Sequence, residues 1–220
     1  MYGKLTGLAA GACLLALSGV AHGATATLNP TADGDVQTFG GDDVNTVNTV
    51  ISFTQSGGLV RNGVLEFDLS SIADGSTITG VSLDLTLARF VSNIGTSAEV
   101  DVFAYAGDGV VDISDFSGGT QVFDGSTPTG GNAGDVRSFA LTDFATFESM
   151  LAANLLTLRL ETDSFASFQI GSLESTSLAA ASLTVDYIAA ATSDVPLPAA
   201  LPMLASALAV AGLIRRRRKA

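Results

Sequence analysis

Val81-Ser82-Leu83-Asp84-Leu85-Thr86-Leu87 alternates apolar and polar residues without a break. Successive side chains of an extended strand point to opposite faces. The stretch therefore predicts a strand with Val81, Leu83, Leu85 and Leu87 facing a core and Ser82, Asp84 and Thr86 facing out. Outward from it, Val64–Leu69 and Val100–Tyr105 carry the same period-two pattern. Further strands are expected at Ala24–Leu28, Val47–Phe53, Val136–Leu141, Leu155–Glu161, Phe165–Ile170 and Leu178–Ile188. Clusters of Gly, Asp, Asn and Ser, such as Gly40-Gly41-Asp42-Asp43 and Gly130-Gly131-Asn132, separate them as turns. Only Thr142–Asn154 reads as a helix, with Phe144, Phe147, Met150 and Leu151 at helical spacing. Eight or nine short strands with one short helix predict an all-β fold, an antiparallel, jelly-roll-like β-sandwich in one domain.

Charge is distributed unevenly along the 220 residues. All 22 acidic residues lie between Asp33 and Asp194, where only Arg61, Arg89, Arg137 and Arg159 oppose them, a net of −18. A surface this acidic repels phosphate backbones, so no nucleic-acid partner is expected. The single Cys13 and single His22 fall in the first 23 residues, Lys4 and Lys219 lie near the ends, and there is no Trp. The middle of the chain thus has no Cys, His or Lys for Ser-His-Asp or Cys-His nucleophiles, Schiff bases, or zinc and iron sites. It also has no disulfide, so a core of roughly 170 residues must hold the fold by itself.

The two ends have a different character. Residues 1–23 join Lys4 to the apolar run Leu5–Val20 and the small-residue site Ala21-His22-Gly23. That is the layout of a signal peptide, with cleavage expected between Gly23 and Ala24 and Ala26 as the alternative site. An uncleaved anchor helix and lipidation at Cys13 are the competing readings. At the other end, Leu197–Ile214 runs 18 residues without a charge. As a helix it would span about 27 Å, enough for a bilayer core. Arg215, Arg216, Arg217, Arg218 and Lys219 follow at once and would stay on the cytoplasmic side, placing the domain outside. The expected parts are a signal peptide (1–23), an ectodomain (24–191), a linker (192–196), a transmembrane helix (197–214) and a basic tail (215–220).

Val195-Pro196-Leu197-Pro198-Ala199, the apolar span and the arginine cluster occur in the order of a tripartite sorting signal. This end resembles the VPLPA variant of the PEP-CTERM sorting domain, with Leu197 where the commoner Pro-Glu-Pro form has Glu. The resemblance implies a Gram-negative setting, an exosortase-like membrane protease as partner and extracellular polysaccharide as surroundings. It implies a membrane-anchored precursor that is cut to give a surface or secreted product. A plain C-terminal anchor is the simpler alternative. In the middle, Arg61–Ile72, Gly75-Ser76-Thr77-Ile78 and the Val81 strand resemble a DNRLRE-type β-sandwich, related to carbohydrate-binding modules of the alginate-binding kind. Phe165–Phe168, Glu174 and Ala181–Tyr187 match its closing strands.

Candidate sites within the domain are all oxygen-based. Asp108-Gly109 with Asp112 and Asp115 has the spacing of the second half of an EF-hand loop, but Ala104 and Ala106 occupy the first ligand positions. Asp33, Asp35, Asp42, Asp43 and Asn45 form a second cluster, read as loop, where a structural calcium would sit. Glu66 and Glu161 are the strand carboxylates considered for glycoside hydrolysis. Asp68, Asp84, Asp101 and Asp186 read as outward strand positions, and the four arginines as ion-pair partners of nearby acids. The expected function is a non-enzymatic exported surface or matrix protein. The alternatives are a glycan-binding module assisted by calcium and, more remotely, a carboxylate-dependent glycan-cleaving enzyme.

Overall fold

A computed structural model of the chain describes residues 23–38, 40–92 and 95–190. The signal segment up to His22, the sorting motif Val195–Ala199, the apolar span and the basic tail lie outside the described residues. Among those described, no helix is long and apolar enough to cross a membrane.

Among the described residues twelve strands form, and every strand pairing is antiparallel. They are β1 (Gly23–Leu28), β2 (Pro30–Gln37), β3 (Asp43–Asn45), β4 (Val50–Ser56), β5 (Leu59–Asp68) and β6 (Thr77–Ser92). Then follow β7 (Ser97–Ala106), β8 (Thr120–Pro128), β9 (Val136–Leu141), β10 (Leu155–Glu161), β11 (Ala166–Gly171) and β12 (Ser182–Ile188). The path runs β1-β12-β6-β11-β4-β5-β10-β7-β8, with β9 beside β6, β2 beside β5 and β3 beside β2. The 16-residue β6 is the turning point of a curled sheet. Its first part, Thr77–Thr86, pairs with β12 and β9. Its last part pairs with β11.

The alternation that predicted β6 also sets its burial. Val81, Leu83, Leu85 and Leu87 are all buried, whereas Ser82 and Asp84 are half-buried. Thr86 departs from the expectation and is buried, beside the point where Leu87 N donates to Asp135 O and Gly134 N to Leu87 O. Inward residues of β4 to β12 and of the helix α1 (Phe144–Met150) join one continuous apolar core. At its centre Phe53 and Phe168 stack with ring centroids 4.6 Å apart. The helix is shorter than the expected Thr142–Asn154, because Asp143 and Asn154 adopt left-handed backbone and a 3-10 turn takes over at Leu151–Ala153. Glu148 on α1 accepts a hydrogen bond from Ile78 N at 2.9 Å and ties the helix to the start of β6.

Three strands were not expected: β2, β8 and the short β3, which falls where a turn was expected. β2 holds Pro30, Asp33, Gly34 and Asp35, and β8 holds Gln121, Asp124, Gly125 and Ser126, so both carry turn-type residues rather than a strand pattern. Asp33 and Asp35 are therefore strand residues, not members of a loop. Both are buried. Leu83 is fully buried opposite Leu183 and Phe139. Replacing it with Ala should lower unfolding free energy by about 2–5 kcal/mol in urea titration. Val136→Ala, at an exposed site, should change it by less than about 0.5 kcal/mol.

Candidate functional site

Register divides β5, β10 and β7 into two faces. The inward rows are Phe67–Leu156–Ala106, Leu65–Leu158–Ala104 and Gly63–Leu160–Val102. The outward rows are Glu66–Thr157–Tyr105 and Val64–Arg159–Phe103, followed by Glu161–Asp101 with Asn62 hydrogen-bonded to Glu161. An outward face usually meets water, yet Asn62, Val64, Glu66, Thr157 and Arg159 are all buried. Their cover is the β7–β8 connection, residues 107–119. Its Val111 and Phe116 pack with Val36, Val64 and Ala32 into a second, smaller apolar cluster.

Polar groups under this cover are matched one by one. Glu66, with no exposed surface, accepts from Thr157 Oγ1 at 2.7 Å and from Gly109 N at 2.8 Å. Gly109 has φ +87°, which glycine adopts at little cost. A Cβ at Gly107 would lie 3.0–3.2 Å from Thr157 Oγ1 and the Glu66 carboxylate, so the chain turns this closely only with glycine there. Arg159 stacks over the Phe103 ring at 4.2 Å, donates to the carbonyls of Phe116 and Gly118, and pairs with Glu161. Asn62 bridges Phe116 O and Glu161 Oε1. Burial pushes the Glu66 carboxyl above its usual range, against the pull of its two donors. Glu66 is thus buried and perturbed, while Glu161 is engaged by Arg159 and Asn62.

The EF-hand-like residues serve this same loop. Asp112 caps the 3-10 turn Ile113–Phe116 by accepting from Ser114 N at 2.7 Å. Asp115 is buried, takes Asp112 N at 2.8 Å, and accepts from Tyr105 Oη at 2.8 Å. Burial and this bond raise the Tyr105 phenol well above its ordinary value. Asp108 Oδ1 accepts from Val110 N at 3.0 Å. Asp42 and Asp43 are exposed beside Asn45 on the β3 side. Among the described residues no three His, Cys, Asp or Glu side chains gather to hold one metal ion.

Of the strand acids read as outward, Asp68 and Asp186 are exposed and Asp84 is half-buried. Asp101 is buried instead and accepts from Gln121 Nε2 at 3.0 Å, and desolvation raises its carboxyl, with Asp163 adding to the effect. Two of the four arginines form ion pairs among the described residues: Arg159 with Glu161, and Arg61 with Asp35 at 3.4 Å. Arg137 instead donates to Gly130 O, and Arg89 is exposed.

A cleft of about 340 Å³ opens at the margin of this region, where β3 stops covering β2. Thr31, Asp33, Thr46, Val110, Leu173 and Glu174 line it. Asp33 faces the same side of the sheet as its partner Leu65. Its Oδ2 accepts from Leu173 N at 2.8 Å, while Oδ1 is enclosed without a hydrogen-bond partner. Burial, with Glu174 nearby, raises its carboxyl to about 6. Two of the seven exposed large apolar residues among those described, Val110 and Leu173, line it. Sequence reasoning found Asp33 but not Thr46, Val110 or Leu173, which come from three separate connections. A pocket lined by aliphatic groups, hydroxyls and two acids suits recognition of a small polar group with an apolar flank.

The chain matches no known protein family, and no curated protein gives a significant match.

Two tests follow from these environments. Glu66→Ala strands two buried donors and should cost about 2–4 kcal/mol in denaturant unfolding. For Asp33 the folded-state value lies above the unfolded one, so the native state holds the proton more tightly. Its stabilising contribution is complete below pH 3.8 and is lost as pH rises through about 6. The loss is roughly 2–3 kcal/mol. Stability of Asp33→Asn, followed by urea midpoint, should be flatter than wild type across that window.

Proposed function

We propose that this protein is an exported, non-enzymatic surface or matrix protein, carried out by its signal segment, held by its C-terminal span, and processed by an exosortase-like protease. We further propose that the curled antiparallel sheet is a jelly-roll-like sandwich of the carbohydrate-binding-module kind. The observation that carries the reading is the ordered triad of Val195–Ala199, an 18-residue uncharged span and five basic residues. The way the domain ends supports it. Gly23 pairs with Ile188, so the chain enters and leaves the sheet side by side. Ala190 N, hydrogen-bonded to Ser76 Oγ, marks the exit.

β1 also bears on signal cleavage. Its six residues pair with β12, and Ala26 and Leu28 pack on the core. Cleavage between Gly23 and Ala24 keeps nearly all of this edge strand, while cleavage after Ala26 removes most of it. The lining of the Asp33 cleft favours a second reading, binding of a glycan at the outer surface. That reading does not depend on the calcium clusters, since Asp108, Asp112 and Asp115 already accept hydrogen bonds from their own loop.

Mass spectrometry of the protein from its native envelope tests the first reading. The expected product begins at Ala24 and ends near the Val195–Ala199 motif. A product that still ends in Lys219-Ala220 contradicts it.

A further inference from the structure

We propose that the free edge of β1 is an interface between two copies of this protein, which pair strand to strand and antiparallel with Ala26 at the centre. Among the described residues four strands, β1, β3, β8 and β9, pair with one neighbour only. An unpaired edge is a row of backbone donors and acceptors that templates another strand, and proteins guard such edges with charge, proline, bulges or short length. Three of the four edges are guarded. β3 is three residues long and carries Asp43. β8 carries Asp124 and Pro128, and its register with β7 shifts between Val102 and Phe103. β9 carries Arg137, and Thr142 just after it donates its N–H to Val122 O of β8 at 2.7 Å. β1 has no such guard: its six residues are uncharged, free of proline and paired with β12 in unbroken register. Among the described residues no other hydrogen bond reaches its backbone.

The occupant follows from what this edge presents. Leu28, Ala26 and Ala24 lie opposite Leu183, Val185 and Tyr187 of β12. Leu183 and Val185 are buried, whereas Leu28, Ala26 and Ala24 are only half-buried, so one more strand would complete the apolar row. The strand is complementary to itself. With Ala26 on a two-fold axis, Thr25 lies opposite Thr27 of the second copy on the solvent side, and Ala24 opposite its Leu28 on the core side. Threonine pairs across antiparallel strands are favourable. A register one residue away would set threonine against alanine and turn the two apolar rows to opposite faces. Charge agrees with a second copy rather than a cationic partner. No charged residue occurs from Gly23 to Ala32, whereas the stretch from Asp33 to Asp194 carries −18. Asp186, opposite Thr25 on β12, accepts a hydrogen bond from the Thr25 hydroxyl. In the pair, three strand spacings would hold the two β12 strands about 14 Å apart, beyond the roughly 8 Å screening length of physiological salt. A ladder of six residues is a small interface, so a dissociation constant of about 1–100 µM is expected.

Sedimentation velocity of the exported protein, with its C-terminal span and in neutral detergent, tests this over roughly 1 µM to 1 mM. Wild type is expected to shift from monomer to dimer across that range. Two variants at the exposed threonines read the register. In Thr25→Lys/Thr27→Lys, lysines face lysines across the pair, and association should weaken by at least roughly tenfold. In Thr25→Lys/Thr27→Glu, each lysine faces a glutamate, and association should be roughly tenfold tighter than in the double lysine variant. General charge effects predict the reverse order, since the glutamate adds to an already acidic domain. A second readout carries no charge, because the single Cys13 lies in the signal segment. Thr25→Cys and Thr27→Cys chains, mixed and mildly oxidised, should cross-link several-fold more than either chain alone. A wild type that stays monomeric, a double lysine variant that associates as well as wild type or the lysine–glutamate variant, or cross-linking no greater in the mixture would overturn the proposal. So would a mature chain that begins at Thr27, because it lacks the surface. None of these outcomes depends on how the C-terminus is processed.

Discussion

β5 is buried on both sides, and its outer cover is held by polar groups that must each find a partner. The inner side follows the ordinary rule of apolar rows packed against a core. The outer side carries Glu66 and Asn62 and lies against Arg159 and Thr157, all cut off from water by residues 107–119. Burial of a carboxylate without donors would cost more than the loop's few apolar contacts return. Thr157 Oγ1 and Gly109 N supply those donors, and the second of them fixes the loop in place. Val110 and Val111, which help to wall the cleft, follow directly in that loop. The cleft therefore depends on a carboxylate that does not line it.

The same logic operates at the seam between β4 and β2. β4 pairs with β5 only over Thr54–Ser56, and β2 takes over along Arg61–Phe67. At that change of neighbour the ladder leaves backbone donors over. Asp35 takes Ser52 N at 3.0 Å, and Asp33 takes Leu173 N just beyond β11. Both carboxyls are raised by the desolvation this requires, and Arg61 offsets part of it for Asp35. Asp33 combines a structural hydrogen bond through one oxygen with a second oxygen that is enclosed without a partner.

Much of the framework was legible in the chain. The Val81–Leu87 alternation located the central strand and the residues it buries, and Val136–Leu141 and Leu155–Glu161 were read with their observed bounds. β2 and β8 were illegible for a physical reason. Their stability comes from neighbours and side-chain bonds, which lets Pro30, Gly34, Asp124 and Gly125 stand in strands where local propensity argues for turns. Glu66 was visible as a strand residue but not as a buried one, because its cover comes from residues more than 40 positions along the chain. One signal was present: Val64 is apolar on the face opposite Leu65 and Phe67, as in a strand covered on both sides. The cleft itself had no linear signature, since its walls come from β2 and three connections.

The proposed function rests on the ends of the sequence, and the candidate site on the fold between them. The proposed sorting signal would give the domain a destination, and Gly23 and Ile188 lie side by side where the sheet begins and ends. The most direct measurement is fractionation of producing cells with and without their exosortase-like protease, following the protein with an antibody to the domain. The account predicts a longer, membrane-held form with its domain outside the cytoplasm when the protease is absent, and a shorter, surface or released form when it is present. Recovery of the uncut chain from the cytosol in both strains would contradict it.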